Sequence, residues 1–347
     1  PNRRRVNTDI VKPKKFGEIL TADHFYARAK GRGVGGLQGE NDGLVVYDIA
    51  SDYGYAYPVK TGGTEDATES FVHYVGPKKH LIKSVYTDCS KSLDAAVKAV
   101  GRKAIPHAHS TPGTPATNGL AEAMVGRTIR GNRVNLEQGG LPRAYFPRAI
   151  QHHWTARNIE EREDGKPSAW EARHGEPFTG HRLPFGCKLN YVPNPISKNP
   201  TEKLDSTTRE GVFFGWKLQP GHVFKDEYYV APLTEFIGED LRRNAKPRDC
   251  NVRMEVVRTI IPPDEIVFPL KAEYDRQNGT LEGLSGDRVA VVDCCDELLP
   301  PVVGPVPVGD QPLPPESVKI EQAIEQLDME FPEDEPVGGE EDDSEGI

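Results

Sequence analysis

Three carboxylates hold positions from which they can reach one point. Asp23 lies inside GEILTADHFYARA (17–29), a run that reads as a strand. Asp88 ends a second strand-like run, HLIKSVYTD (80–88), and Glu122 falls in the first turns of a helix that opens near Asn118. Acidic residues are depleted from strand interiors, so Asp23 needs a reason to be there. Carboxylates gathered at strand ends and a helix start repel, and each raises the pKa of the others. A divalent cation removes that penalty. Mg²⁺ prefers oxygen ligands and takes a few carboxylates together with substrate phosphate. Two such ions about 3.5–4 Å apart can activate an attacking oxygen and stabilise a leaving one in in-line phosphoryl transfer. Each Asp taken alone reads as a turn cap or a solvated side chain. The three together make the candidate catalytic and metal-binding set Asp23, Asp88 and Glu122.

The stretch around Glu122 adds a second chemistry. In HSTPGTPATNGLAEAMVGRTIRGNR (109–133), Pro112 and Pro115 bias the residues before them toward extended backbone, so no helix runs through 110–117. Asn118 is a good N-cap, and Glu122 near the helix start suits the helix dipole. Arg127, Arg130 and Arg133 recur every third residue and so lie near one another on one face. A carboxylate just inside a helix followed by a row of arginines suits a place where metal and polyanion meet, with Asn118 and the three arginines as the candidate nucleic-acid contacts. The spacing alone is equally that of a solvated amphipathic helix.

The elements that must position these residues follow from periodicity. LVVYDIAS (44–51) and YAYPVK (55–60) are further strands, with a turn at Asp52–Gly54. EDATESFVHYV (65–75) is a helix stopped by Gly76 and Pro77, Ser90–Gly101 a second, and KAIPHAH (103–109) a short fifth strand. The order β-β-β-α-β-α-β-α predicts a mixed five-stranded sheet covered by helices, an α/β fold. KGRGVGGLQGENDG (30–43) is a long hairpin loop, since no helix follows to make it a phosphate cradle. Beyond Arg133 the reading is helical, clearest over 141–158, with His152, His153 and Trp154 packing on the sheet. From about 182 to 298 it is β-rich: a hairpin around Gln219–Gly221 joins 210–218 to 222–233, and 251–261 and 288–293 are further strands. His107 and His109, at a strand end, read as core or loop histidines. Lys78, Lys79, Arg102 and Lys103 read as solvated, on the border of a possible DNA path.

Composition bounds the rest. The chain has 347 residues, 36% of them hydrophobic, with 30 Pro and 34 Gly, which predicts a folded part diluted by loops and tails. No apolar run approaches the roughly 18 residues of a membrane span, and no signal peptide is visible; the start, without Met, reads as that of a piece of a longer product. Cys89, Cys187, Cys250, Cys294 and Cys295 match neither a zinc template nor a disulfide framework and read as free thiols. The net charge of −10 is a property of the tail: residues 321–347 carry 12 acidic residues and no Lys or Arg, leaving about +2 for the remainder. The predicted organisation is a basic arm (1–15), a catalytic core (16–180), a β-rich module (182–298), and a Pro-rich, acidic, disordered tail (299–347).

The run STPGTPATNGLAE (110–122) resembles the signature before the last catalytic Glu of retroelement integrases of the Ty1/copia class, roughly S-x-P-Y-T-P-x-x-N-G-x-A-E. Ser110, Pro112, Thr114, Pro115, Asn118, Gly119, Ala121 and Glu122 match, and Gly113 stands where the family usually has an aromatic. LTADHF, VVYDIASDYGYAYPVK, LIKSVYTD, GLPRAYFPRAIQHHWTARN, KPSAWEARHGEP, LPFGCKLNYVP and REGVFFGWKLQPG resemble the family's other segments in the same order. The resemblance implies an RNase H-like core of a Pol polyprotein and DNA integration through 3′-end processing and strand transfer. It implies two Mg²⁺ or Mn²⁺ ions on Asp23, Asp88 and Glu122, element ends and target DNA as partners, assembly as a homo-oligomer, no membrane, and a nuclear site of action reached from cytoplasmic particles. The sequence departs from the family at Cys89-Ser90-Lys91-Ser92-Leu93, where Asn-Gly-x-Glu-Phe is usual, and Arg127 is offset by one residue from the family's Arg. No His/Cys zinc module precedes Asp23. A catalytically degraded, domesticated nucleic-acid-binding protein of the same fold and an RNase H-like nuclease that cuts without joining are the alternatives.

Overall fold

A computed structural model describes residues 13–27, 35–100, 105–109, 119–162, 165–193 and 206–279. The arm before residue 13, the loop 110–118 with Asn118, the strand expected at 288–293, Cys294, Cys295 and the tail lie outside them.

The first sheet has the expected composition and order. β1 (Leu20–Tyr26), β2 (Asp42–Asp48) and β3 (Tyr53–Val59) form an antiparallel meander, with Leu20 opposite Asp48 and Asp48 opposite Tyr53. The turn between β2 and β3 puts Asp52 at φ 61°, a conformation that short polar residues tolerate. α1 (Thr64–Val75), β4 (Val85–Thr87), α2 (Lys91–Val100), β5 (His107–His109) and α3 (Gly119–Gly139) follow. β4 pairs parallel with β1 and β5 parallel with β4, giving the sheet order β3-β2-β1-β4-β5. This is a mixed five-stranded α/β sheet flanked by helices, as the element order predicted. β4 is shorter than the run 80–88, because residues 76–81 coil into a 3₁₀ turn that begins at Gly76-Pro77. Of the run 103–109, residues 105–109 are described, and the strand covers the last three of them.

A second sheet follows α4 (Phe146–Ile159) and the short α5 (Ala169–His174). β6 (Lys188–Tyr191), β7 (Arg209–Gln219), β8 (Val223–Pro232), β9 (Glu255–Val257) and β10 (Ile260–Ile261) pair in the order β10-β6-β7-β8-β9. The single strand expected over 251–261 is therefore two, on opposite edges. Three peptide links join Val257 to Ile260 and span at most about 11 Å, so the sheet must curl until its edges nearly meet. α6 (Lys271–Asn278) has no counterpart in the sequence reading.

The two sheets share one cluster of buried side chains, and α4 lies between them, packing on β3 and on β7. Trp154 is fully buried and covers Gly54 so closely that a Cβ there would overlap its ring. Asn158 brackets the same glycine, donating to its carbonyl (2.7 Å) and accepting from its N–H (3.2 Å). On the other side of α4, His152 Nε2 donates to the Leu183 carbonyl (2.9 Å), while Asn135 Nδ2 donates to His152 Nδ1 (3.4 Å). The neutral ring is satisfied at both nitrogens, and burial pushes its pKa down to about 4. A third tie is His222, buried between Tyr57 Oη (2.7 Å) and Tyr53 Oη (2.9 Å), which holds the β7–β8 hairpin to β3.

Two outcomes are expected. Gly54→Ala should destabilise the protein by about 1–3 kcal/mol through overpacking, read as a lower urea midpoint, and Trp154→Phe in the same chain should recover part of it. Because His152 stays neutral in the fold, its contribution is complete above the ordinary histidine pKa of 6.5 and is lost as pH falls toward 4. Unfolding free energy should drop by up to about 1.4 kcal/mol per pH unit from this group across that window. A flat profile between pH 6.5 and 5 would contradict the assignment.

Candidate active site

β1 is the middle strand of the first sheet, and it carries Asp23. Its parallel pairing with β4 runs Leu20–Val85, Thr21–Tyr86 and Ala22–Thr87. The next residues on the two chains are Asp23 and Asp88, each one step past the last pair, so the two carboxylates follow neighbouring strands on the same side of the sheet. Both are half-buried. The parallel pairing gives way at this point, because the chain after Thr87 turns into α2. Ser90 begins that helix, its carbonyl accepting from Asp94 N–H (3.0 Å), and Leu93 is buried beneath it. The departure from the family's pattern at 89–93 is thus an N-terminal turn with an exposed Cys89 and a Ser90–Ser92 hydroxyl contact of 2.9 Å.

Glu122 occupies the first turn of α3 and is exposed. The buried stripe that opens α3, Ala121, Met124, Thr128 and Gly131, has the three-to-four-residue spacing of a helix face set against a core, and Leu136 and Gly139 are buried further along. It packs on β1 and β2, and thereby ties Glu122 to the strand that carries Asp23. Thr128 Oγ1 accepts from Trp154 Nε1 (2.8 Å), and at Gly131 a Cβ would overlap the His153 ring, so α3 is held close against α4.

The carboxylates suit a hard divalent cation. Asp88 Oδ1 is buried and accepts no hydrogen bond from a described residue. A buried carboxylate oxygen without a donor is costly unless a cation takes it up. Oxygen donors of this kind match what Mg²⁺ or Mn²⁺ requires. His24, next to Asp23, meets Ser92 Oγ at 3.3 Å. Burial lowers its pKa, against the opposing pull of the Asp88 and Asp42 carboxylates, so its ring adds no positive charge at neutral pH.

The arginines of α3 divide. Arg130 and Arg133 are exposed, whereas Arg127 is half-buried with its Nη1 3.8 Å from Met124 Sδ. Burial, and then the neighbouring Arg157, lower the Arg127 pKa. Arg157 and Arg162 pair with Asp52 at 3.2 and 3.3 Å, and Tyr47 Oη donates to the same carboxylate. This cluster clamps the β2–β3 turn to α4.

One grouping was missed in reading the sequence. Asp94 on α2 meets His107 and His109 on β5, each offering a ligand atom within 4.8 Å of the others. The signal was the pattern HAH: residues two apart on a strand point to the same face. Only the packing of α2 on that face supplies the third member.

No protein-family model matches the chain, and it has no match among curated proteins. Among solved structures, it is similar to a chain of the simian T-cell lymphotropic virus intasome in complex with PP2A regulatory subunit B56 gamma. That match has 16% identity and a TM-score of 0.39 and covers 66% of this chain and 77% of that one. It is also similar to the HTLV-2 integrase catalytic core domain in complex with magnesium, in its trimeric form, at 14% identity and a TM-score of 0.34, covering 46% of this chain and 98% of that one.

Proposed function

We propose that this chain is the catalytic core and following module of a Ty1/copia-type retrotransposon integrase, a polynucleotidyl transferase acting on element ends and target DNA. Two observations support the proposal: Asp23 and Asp88 each follow the last pair of β1 on β4, and a buried Asp88 oxygen accepts no hydrogen bond from a described residue. The run 110–122, with its match to the family signature, supports the same reading.

Asp23, Asp88 and Glu122 would hold two Mg²⁺ or Mn²⁺ ions. When bound, these supply Lewis acidity at a DNA phosphodiester and at the attacking water or 3′-hydroxyl. The rigid sheet fixes Asp23 and Asp88, and Glu122 approaches on a separate element. The exposed arginines of α3 lie further along the helix that Glu122 begins, so backbone phosphates bound there pass into the carboxylate site. Asn118, at the mouth of the same helix, is a further nucleic-acid contact in this reading. Joining two element ends to one target calls for more than one copy of the chain, acting in the nucleus.

Asp88→Asn should abolish Mg²⁺-dependent 3′-end processing and strand transfer on a preprocessed DNA end, with the circular dichroism spectrum unchanged, because an amide is a much weaker Mg²⁺ ligand than a carboxylate. Undiminished turnover by the purified variant would remove Asp88 from the site. Cleavage without joining in the wild-type chain would favour a nuclease instead.

Salt dependence tests the arginines. Each phosphate contact contributes about −0.9 to the slope of log binding constant against log salt. Arg130→Ala with Arg133→Ala should flatten that slope by up to about two units and weaken binding to all DNA sequences alike; adding Arg127→Ala should contribute at most about one more. An unchanged slope would show that these residues do not touch DNA.

A further inference from the structure

Beside the carboxylate edge, α2 and β5 bring three side chains to one point. Asp94 Oδ1 lies 3.3 Å from His107 Nδ1 and 3.5 Å from His109 Nε2. The outer nitrogen of each ring is already committed. Thr87 Oγ1 donates to the Asp88 carbonyl (2.8 Å), so its contact with His107 Nε2, also 2.8 Å, must be one in which the ring nitrogen donates. His109 Nδ1 lies 3.3 Å from the same carbonyl oxygen, which can only accept. A neutral imidazole carries one proton. Both protons therefore point outward, and both inner nitrogens turn lone pairs toward a carboxylate oxygen.

Three acceptors thus face one another with no proton between them. The separations satisfy a distance criterion for ion pairs, yet Asp94 Oδ1 is buried and takes part in no hydrogen bond among the described residues. The bonding geometry is the more telling of the two: the carboxylate is close to the rings without being bridged to them by hydrogen. A cation in the middle resolves the arrangement. With metal–ligand bonds of about 2.0–2.2 Å, ligand atoms on a tetrahedron stand about 3.3–3.6 Å apart, the spacing found between Asp94 and each ring. Ring nitrogens whose other N–H is fixed by a carbonyl or hydroxyl are the usual outer-shell arrangement of histidine metal ligands. Imidazole with carboxylate suits Zn²⁺, whereas Mg²⁺ prefers oxygen alone. The side chains of Asp94 and His109 are each 35% exposed, so an ion can reach the site from solvent.

We propose that Asp94, His107 and His109 bind one Zn²⁺, with water in the fourth position, as a centre separate from Asp23, Asp88 and Glu122. The ion clamps β5 to α2. His109 Nδ1 donates to the Asp88 carbonyl directly, and His107 Nε2 reaches it through Thr87 Oγ1, so the clamp also steadies the backbone from which the Asp88 side chain projects. The site stands whether or not the chain joins DNA.

The test is a Co²⁺ titration of the chelator-treated full chain. One equivalent of Co²⁺ should give the intense visible absorption of a four-coordinate ion, and Zn²⁺ should displace it. His107→Ala combined with His109→Ala should abolish the band, and Asp23→Asn with Asp88→Asn should leave it intact. Absence of the band in the wild type, its survival in the double His variant, or its loss in the double Asn variant would each overturn the proposal. X-ray absorption at the zinc edge of the wild-type protein needs no variant to fold. Two imidazoles with oxygen ligands are expected, and sulfur ligation or a spectrum without imidazole would overturn the assignment.

Discussion

The pairing of β1 with β4 is the constraint on which the rest depends. An antiparallel meander can be built from local turns, but a parallel partner must be reached by a crossover. Here that crossover runs through α1 and the 3₁₀ turn at 76–81. A slip of one residue in this pairing would turn Asp23 from one face of the sheet to the other relative to Asp88. The register is defended by burial: Leu20, Ala22 and Val85 are core residues, and Thr21 and Thr87 are buried with them. Side chains that touch no substrate thereby set where the two carboxylates stand.

α4 transmits that order to the second sheet. One of its faces sets Trp154 and Asn158 against Gly54, and another sets His152 between Leu183 and the Trp216 ring, stacked at a centroid distance of 5.0 Å. Neither sheet could keep this geometry with α4 removed, because each would expose an aromatic face. The β7–β8 hairpin is tied independently through His222 to Tyr53 and Tyr57, so a second link joins the two sheets along β3.

Buried charge is handled in two ways. The Arg173 guanidinium lies 4.4–4.5 Å from the ring centroids of Phe16, Tyr53 and Tyr74 and donates to the carbonyls of Tyr74 and Gly221. Aromatic faces and carbonyl dipoles there do the work of a carboxylate partner. Asp48 is buried as well, and burial raises its pKa despite hydrogen bonds from Gly17 N–H (2.8 Å), Ser51 N–H (2.8 Å) and Ser51 Oγ (2.6 Å). Its role is structural: it closes the start of β1 onto the end of β2. Asp88 differs in having a buried oxygen with no such donor among the described residues, and that contrast separates a structural carboxylate from a candidate ligand.

The sequence by itself determined the first sheet's composition and its strand and helix order, and it put Asp23 in a strand, Asp88 at a strand end and Glu122 near a helix start; the structure ends β4 one residue before Asp88. These follow from short-range rules: a period of two for strands, Gly and Pro as stops, and an acidic residue at a helix start. The tertiary structure decided what depends on residues distant in the chain. Sequence had no means to split 251–261, because its halves pair with β8 and β6, which flank β7 on opposite sides of a curled sheet. It read Arg127, Arg130 and Arg133 as one row, and only packing against Met124 and the Asp52 cluster half-buries the first of them. It also took His107 and His109 for core or loop residues. Their alternation put both rings on one face, but Asp94 reaches that face through the fold of α2 against β5, a contact that no local pattern encodes.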